Sequence, residues 1–207
     1  MTPREGVAAL ADGLAHLLGS MIRVLRSPSG WIVRLWRLAS LRAHSRGHVP
    51  VSTQLDGPVT AVGGGILRLG EQCRLGQGVQ FDTAENGAIT LGSRVRINAG
   101  TVIAGSLGVS IGDDTLIGEY VSIRDANHGL ASRTLIRTQP LERAPIRIGS
   151  DVWIGRGCCI LKGVTIGDGV VVGANSVVTG DLEAGAIYAG APARRMGTRR
   201  LDTSAAR

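Results

Sequence analysis

From Ile148 onward the chain places an aliphatic residue at every sixth position: Ile148, Ile154, Ile160, Ile166, Val172 and Val178. Glycine often follows, as at Gly149, Gly155, Gly167 and Gly173. The position four along is small or β-branched at Val152, Cys158, Val164, Val170 and Ser176, with Leu182 as the large exception. A period of six fits neither the helical period of about 3.6 nor the simple alternation of a strand, so it marks a repeat architecture. The physical reading is a coil that turns a corner at each hexad. Short β-branched stretches suit its flat faces, the aliphatic residue points inward, and glycine supplies the positive φ of a tight corner. Three hexads complete one triangular turn, which takes about 18 residues and is stabilised by stacking on its neighbours.

The same step runs upstream through Leu69, Leu75 and Phe81, then Leu91, Ile97 and Ile103, then Ile111, Ile117 and Ile123. The two extra residues at Gly105 to Gly108 read as a bulged corner. Between Ile123 and Ile148 the hexad signal almost vanishes, and Arg124 to Arg147 read as a polar loop protruding from the coil. So long an excursion from a regular repeat is uncommon without a function. Ahead of the coil, residues 4–26 carry a helical pattern with Leu10, Leu14, Leu17, Met21 and Leu25 on one side. Ser27-Pro28-Ser29-Gly30 interrupts it, and a second pattern sets Trp31, Ile32, Leu35, Leu38 and Ala39 opposite Arg34, Arg37 and Arg42. The expected organisation is an amphipathic helical segment over 1–48, a polar glycine-rich connection over 49–66, the coil over 67–190 with its loop at 124–147, and a basic tail over 191–207.

Composition supports a thin solenoid. The 207 residues include 31 glycines but only three Trp, two Tyr and one Phe, too few rings for an aromatic-rich core. The net charge of +7 sits at the ends: residues 1–50 hold seven Arg against Glu5 and Asp12, and residues 190–207 hold five Arg against Asp202. These arginines form no stripe with interleaved aromatic platforms, so a nucleic-acid partner is not expected. Phosphate on a small cofactor, or an anionic membrane surface, fits better. The uncharged run Gly13 to Ile22 is too short to span a bilayer, and no signal-peptide pattern opens the chain. Residues 1–45 can contact a membrane peripherally or cover the end of the coil, and the sequence leaves both open. Cys73, Cys158 and Cys159 offer neither a disulfide framework nor metal-ligand spacing, which favours a reducing cytoplasm and no metal. Cys158 falls at an inward position filled elsewhere by valine and reads as a small core residue.

Chemistry is sought where the coil breaks. Of four histidines, His16, His44 and His48 belong to the N-terminal segment, and only His128 sits at the root of the loop, in Asp125-Ala126-Asn127-His128-Gly129. Near neutral pH an imidazole is the side chain best able to take a proton from a hydroxyl and then release it. His128 is therefore the candidate general base.

The loop motif is followed by Ala144-Pro145-Ile146-Arg147-Ile148-Gly149, Asp151-Val152-Trp153-Ile154-Gly155, Gly173-Ala174-Asn175-Ser176-Val177-Val178-Thr179 and Ala189-Gly190-Ala191-Pro192-Ala193-Arg194. In that order, over about residues 69–196, the chain resembles the hexapeptide-repeat acetyltransferases, in their sugar and polysaccharide O-acetyltransferase branch. The resemblance implies a left-handed parallel β-helix, homotrimers with sites between subunits, and acetyl-CoA held between neighbouring coils. It also implies direct transfer in a ternary complex. The residue matching His128 deprotonates an acceptor hydroxyl that attacks the thioester, and the resulting oxyanion needs a donor such as a backbone N–H. By the same pattern the backbone at Arg156, with Ala174 and Thr179, lines the pantetheine arm, Trp153 is a further cofactor contact, and Arg194 faces the phosphates, where a guanidinium offers a fixed fork of donors and Arg195 adds to the field. Asn98, Asp125 and Asn127 are the expected acceptor contacts. Two departures stand out. Gly180 follows Thr179 where relatives often carry Lys, and Gly105-Ser106 replaces the carboxylate with which simple-sugar enzymes hold the acceptor. The expected acceptor is a hydroxyl of a glycan or polysaccharide precursor. The rival readings are a small-molecule acceptor, a non-catalytic structural β-helix, and a zinc carbonic anhydrase, which needs three histidines where the coil supplies only His128.

Overall fold

The computed structural model describes residues 31–199 together with Leu14, Ala15 and Leu18, which are helical. The rest of the helix expected over residues 4–26, and everything from Arg200 on, lies outside the described residues. The second helical pattern forms helix α1, Trp31–Ala43. Its Leu38 and Leu41 are buried on the first coil, while Ile32, Leu35 and Trp36 remain exposed. Among the described residues no helix is long and apolar enough to cross a membrane.

The coil is the prism of a left-handed parallel β-helix with three faces. One carries eight strands from Gln54–Leu55 to Arg194–Thr198, one six from Thr60–Gly63 to Val177–Val178, and one five from Ile66–Leu69 to Thr165–Ile166. The hexad residues stack in register up the interior. Leu75, Ile97, Ile117, Ile154 and Val172 form one column, and Phe81, Ile103, Ile123, Ile160 and Val178 another. All ten are buried. At about 1.5–3 kcal/mol for each large aliphatic side chain removed from water, these columns are the main favourable term of the fold.

Beside them run second inward rows that tolerate small polar groups, because a hydroxyl or thiol there reaches a glycine carbonyl of the next coil. Thr101 donates to Gly118 O at 2.9 Å, Thr115 to Gly149 O at 2.9 Å, and the Cys158 thiol to Gly173 O at 3.1 Å. Cys158 is fully buried, as expected of a core filler, and burial pushes its thiol above the ordinary range.

Four expectations need correction. The stretch 49–66 is not a connection but part of the first coil, with strands Gln54–Leu55 and Thr60–Gly63. Thr53 and Ala61 fill its inward positions and disguise the hexad. The segment after residue 190 is not all tail, since Arg194–Thr198 pairs antiparallel with Ala186–Ala189 and covers the last edge of the eight-stranded face. The glycines after the aliphatic residues do not supply positive φ, which falls two residues later at Asp151, Gly157, Gly169 and Asn175. They are glycine because the coils approach closely: a Cβ on Gly155 or Gly167 would lie 2.6 Å from the amide nitrogen of Ala174 or Ala184.

The turn length is the fourth. Along the eight-stranded face Gln54 pairs with Arg74, then Arg96, Leu116, Trp153 and Val171, so successive turns take 20, 22, 20, 37 and 18 residues. Only the last has the expected length. The surplus falls each time at the corner between the six- and five-stranded faces.

Gly155→Ala forces its Cβ against the 2.6 Å neighbour and should cost about 1–3 kcal/mol, read as a lowered denaturation midpoint. Gly180→Ala, with nothing within 4 Å of the added atom, should stay within about 0.5 kcal/mol of the parent.

Candidate active site

The enlarged corner culminates in a β-hairpin. Ala126–His128 pairs antiparallel with Leu141–Arg143, placing His128 opposite Leu141. The tip contains a 3-10 turn at Ile136–Thr138. It is tied by the Gln139 side chain, whose amide nitrogen donates to Ala131 O and Thr134 O while its oxygen accepts from Ala131 N.

At the root, Asp125 fastens the hairpin to the coil below. Its carboxylate is 0% exposed and accepts the backbone N–H groups of Ser106, Leu107 and Gly108, each at 2.7 Å. The Gly105–Gly108 bulge is therefore a corner whose amides converge on one anion. Ala144 N donates to Asp125 O at 2.9 Å and Gly163 N to Ala144 O at 3.0 Å, which seats the returning strand on the next coil. A Lys162–Glu142 ion pair at 3.2 Å adds a side-chain tie at the same level.

His128 and Asn127 are exposed and line a cavity of about 460 Å³. Its walls include Asp82, Ser106, Arg124 and Leu141. Asp82 and Arg124, with Ala104 between them in the same wall, escaped the sequence reading as site residues. The signal was present: Asp82, Ala104 and Arg124 each follow an inward residue of one column, so register stacks them outward beneath the hairpin. An imidazole, a carboxylate, a hydroxyl and an amide converge here on a space open to solvent. Such a set can orient a polyhydroxylated molecule and remove one of its protons.

The other expected residues lie elsewhere on the chain. Asp125 is fully buried with both oxygens engaged by backbone amides, so the expected substrate contact gives way to an internal one. Asn98 sits on the corner between the eight- and six-stranded faces, donating to Glu119 Oε1 at 2.7 Å. Arg156 and Ala174 occupy that same corner on later coils, and the Arg156 guanidinium lies 5.6 Å over the Tyr120 ring. Trp153 is 56% exposed on the eight-stranded face between Leu116 and Val171, so it does not pack beneath the loop. Thr179 stands exposed on the hairpin's corner, nearer the C-terminal end, and Arg194 and Arg195 are exposed on the capping strand. One chain thus holds His128 and Asn127 on one corner, and Asn98, Arg156 and Ala174 on another.

A family model described as bacterial transferase hexapeptide (six repeats) matches residues 145–180. WbbJ of Escherichia coli K12, named as a lipopolysaccharide biosynthesis O-acetyl transferase, is 38% identical over 138 residues, covering 63% of this chain and 70% of WbbJ. The galactoside O-acetyltransferase of the same strain is 35% identical over 126 residues, covering 61% of each chain. Among solved structures, a hexapeptide-repeat-containing acetyltransferase of Vibrio cholerae O1 biovar eltor, complexed with acetyl coenzyme A, superposes with a TM-score of 0.55 at 28% identity. That match covers 87% of this chain and 90% of the other.

Asp125→Asn keeps the shape of the root but removes its charge from three amide donors. The expected loss is about 1.5–3 kcal/mol, the range for hydrogen bonds to charged groups. Urea unfolding measures it, and faster hydrogen exchange at Ser106, Leu107 and Gly108 should accompany it.

Proposed function

The chain belongs to the bacterial hexapeptide-repeat acetyltransferases, and from that premise we propose that it transfers an acetyl group from acetyl-CoA to a hydroxyl of a glycan or glycan precursor. The observation that carries this reading is His128, an exposed imidazole on a cavity it shares with Asp82, Ser106 and Asn127, at the end of a strand whose root is locked by a buried carboxylate. The names of WbbJ and of the galactoside enzyme support O-acetylation of a carbohydrate. Asp82 takes the place of the carboxylate missing at Gly105-Ser106, accepting from sugar hydroxyls while Asn127 and Ser106 donate or accept beside it.

Acetyl-CoA supplies an activated thioester carbonyl. His128 takes the proton of the acceptor hydroxyl as that oxygen attacks, and it returns the proton to the departing sulfur, so it ends each cycle neutral. The donor's requirements suit the exposed groups of the second set. Trp153 and the small Ala174 offer surface to a slender apolar arm, and Arg156, Arg194 and Arg195 offer guanidinium groups to phosphates. In one chain this set and His128 occupy different corners. The reading therefore places the reaction between subunits of a homotrimer, where the corner of one copy meets the face of the next. Free Cys73, Cys158 and Cys159 fit a reducing, cytoplasmic setting.

His128→Ala should lower kcat by roughly 10²- to 10⁴-fold while calorimetric affinity for acetyl-CoA stays unchanged. Unaltered turnover would remove His128 from the reaction.

The exposed side of α1 favours a peripheral contact with an anionic membrane through residues 1–45. Ile32, Leu35 and Trp36 stand out from the prism beside Arg34. A Leu35→Ala, Trp36→Ala double variant should sediment less with phosphatidylserine vesicles than the parent protein does. Equal sedimentation would leave α1 as a cover for the coil.

A further inference from the structure

The His128 cavity is one part of a longer depression. Four outward positions of the six-stranded face, Val62, Asp82, Ala104 and Arg124, stand in register on consecutive coils. The cavity at His128 covers the last three of these rungs. A second cavity, of about 480 Å³, opens on the first, between Val62 and the Ala43–Arg46 turn that leaves α1. With strands roughly 4.8 Å apart, the row runs about 14 Å from Arg124 to Val62, more than one sugar ring can span. The hairpin walls one end and α1 the other.

The floor between them is kept low. It is built from Ala84, Ala104, Ser106 and the Gly63-Gly64-Gly65 corner. Two of these glycines are required by the fold, since a Cβ on Gly63 would lie 1.6 Å from Thr83 O and one on Gly65 would lie 2.4 Å from Ala84 O. Gly64 is different. Its added Cβ would meet nothing closer than 3.7 Å, an ordinary contact, so the coil itself does not demand that the side chain be missing there. What the missing side chain preserves is the open floor of the second cavity. The same corner is also the one that is enlarged on four successive turns.

We propose that this row is an extended acceptor groove, and that the acceptor is an oligosaccharide with an anionic group at the end away from the reacting hydroxyl. The proposal rests on acetyl transfer at His128. Asp82 lies mid-groove, where it accepts hydrogen bonds from sugar hydroxyls. Arg46 lies at the far end and, among the described residues, forms no ion pair. Its guanidinium matches a carboxylate of an acidic sugar or the phosphate of a carrier linkage, both of which present paired oxygens. A single neutral sugar at His128 reaches neither Gly64 nor Arg46.

The probes are oligosaccharides released from the producing cell's own surface glycan by mild acid, sorted by length and by charge, with labelled acetyl-CoA as donor. For the full chain, kcat/KM should rise roughly tenfold or more from the monosaccharide to the acidic trisaccharide fraction, the scale of one added charge-assisted contact. Gly64→Trp should abolish that rise and leave monosaccharide turnover and the melting temperature unchanged. Arg46→Ala should bring the acidic trisaccharides down to the level of the neutral ones. Phosphatase treatment of the acidic fraction removes the gain if the anion is phosphate, and carboxyl reduction removes it if the anion is an acidic sugar. Equal use of mono- and trisaccharides, or a Gly64→Trp variant that still prefers the longer ones, overturns the groove while leaving acetyl transfer intact. Labelling of no saccharide overturns the glycan acceptor itself, and the groove with it.

Discussion

No coil of this protein can satisfy itself, and everything else in the structure follows from that constraint. The backbone N–H groups of one turn point at the carbonyls of the next, as Arg96 N does to Thr115 O and Ser122 N to Cys158 O. The inward aliphatic residue of each turn is covered only by those above and below it. Register is therefore fixed twice over, by the hydrogen-bond ladder and by the columns of Ile, Leu and Val. A slip of one residue would turn a whole rung of buried side chains out to solvent. Extra residues can be accommodated only by leaving the prism, and they must leave at a corner, where the ladder is already interrupted.

The chain uses one corner for all of them. Four turns in succession are lengthened between the six- and five-stranded faces, the fourth by the whole hairpin. A hairpin of this length on a flat prism has few coil contacts of its own, so its position depends on its root. Asp125 supplies that anchor by drawing three amides of the lengthened turn below onto one buried carboxylate. The enlarged corner of one turn thereby holds the hairpin of the next. Rigidity comes from the repeat and chemical variety from its interruption, a division of labour that lets His128 be exposed without being free to wander.

The repeat was legible in the sequence because stacking enforces it residue by residue. The period of six, the inward columns, α1 and the protruding loop could all be read from Ile, Val, Leu and Gly positions. What escaped notice was whatever stacking decides indirectly. The first coil hid behind Thr53 and Ala61, which occupy inward places without the usual aliphatic bulk. The strand Arg194–Thr198 looked like a basic tail because pairing with a single edge requires no hydrophobic alternation. Asp125 beside His128 read as chemistry, yet its role is set by the amides of Ser106 to Gly108, which nothing in the local motif reveals. Asp82 and Arg124 were accessible in principle through register. The side of the prism over which the loop folds is a tertiary fact, however, and it turned those two outward positions into cavity walls.

The outer faces divide as sharply as the interior is uniform. Along the five-stranded face the outward row reads Arg68, Thr90, Ser110, Arg147 and Thr165, all polar and all exposed. Along the eight-stranded face the outward row begins with Gln54, Arg74 and Arg96 and then changes to Leu116 and Trp153, both about half exposed, with Tyr120 exposed at the neighbouring corner. A prism working alone has no reason to be wet on one face and apolar on another, because its core is already complete. The apolar stretch begins at the level of the hairpin and continues past the corner that carries Arg156 and Ala174. Within one chain the two candidate sets stay on separate corners, at either side of the six-stranded face, while the apolar stretch lies on the eight-stranded one.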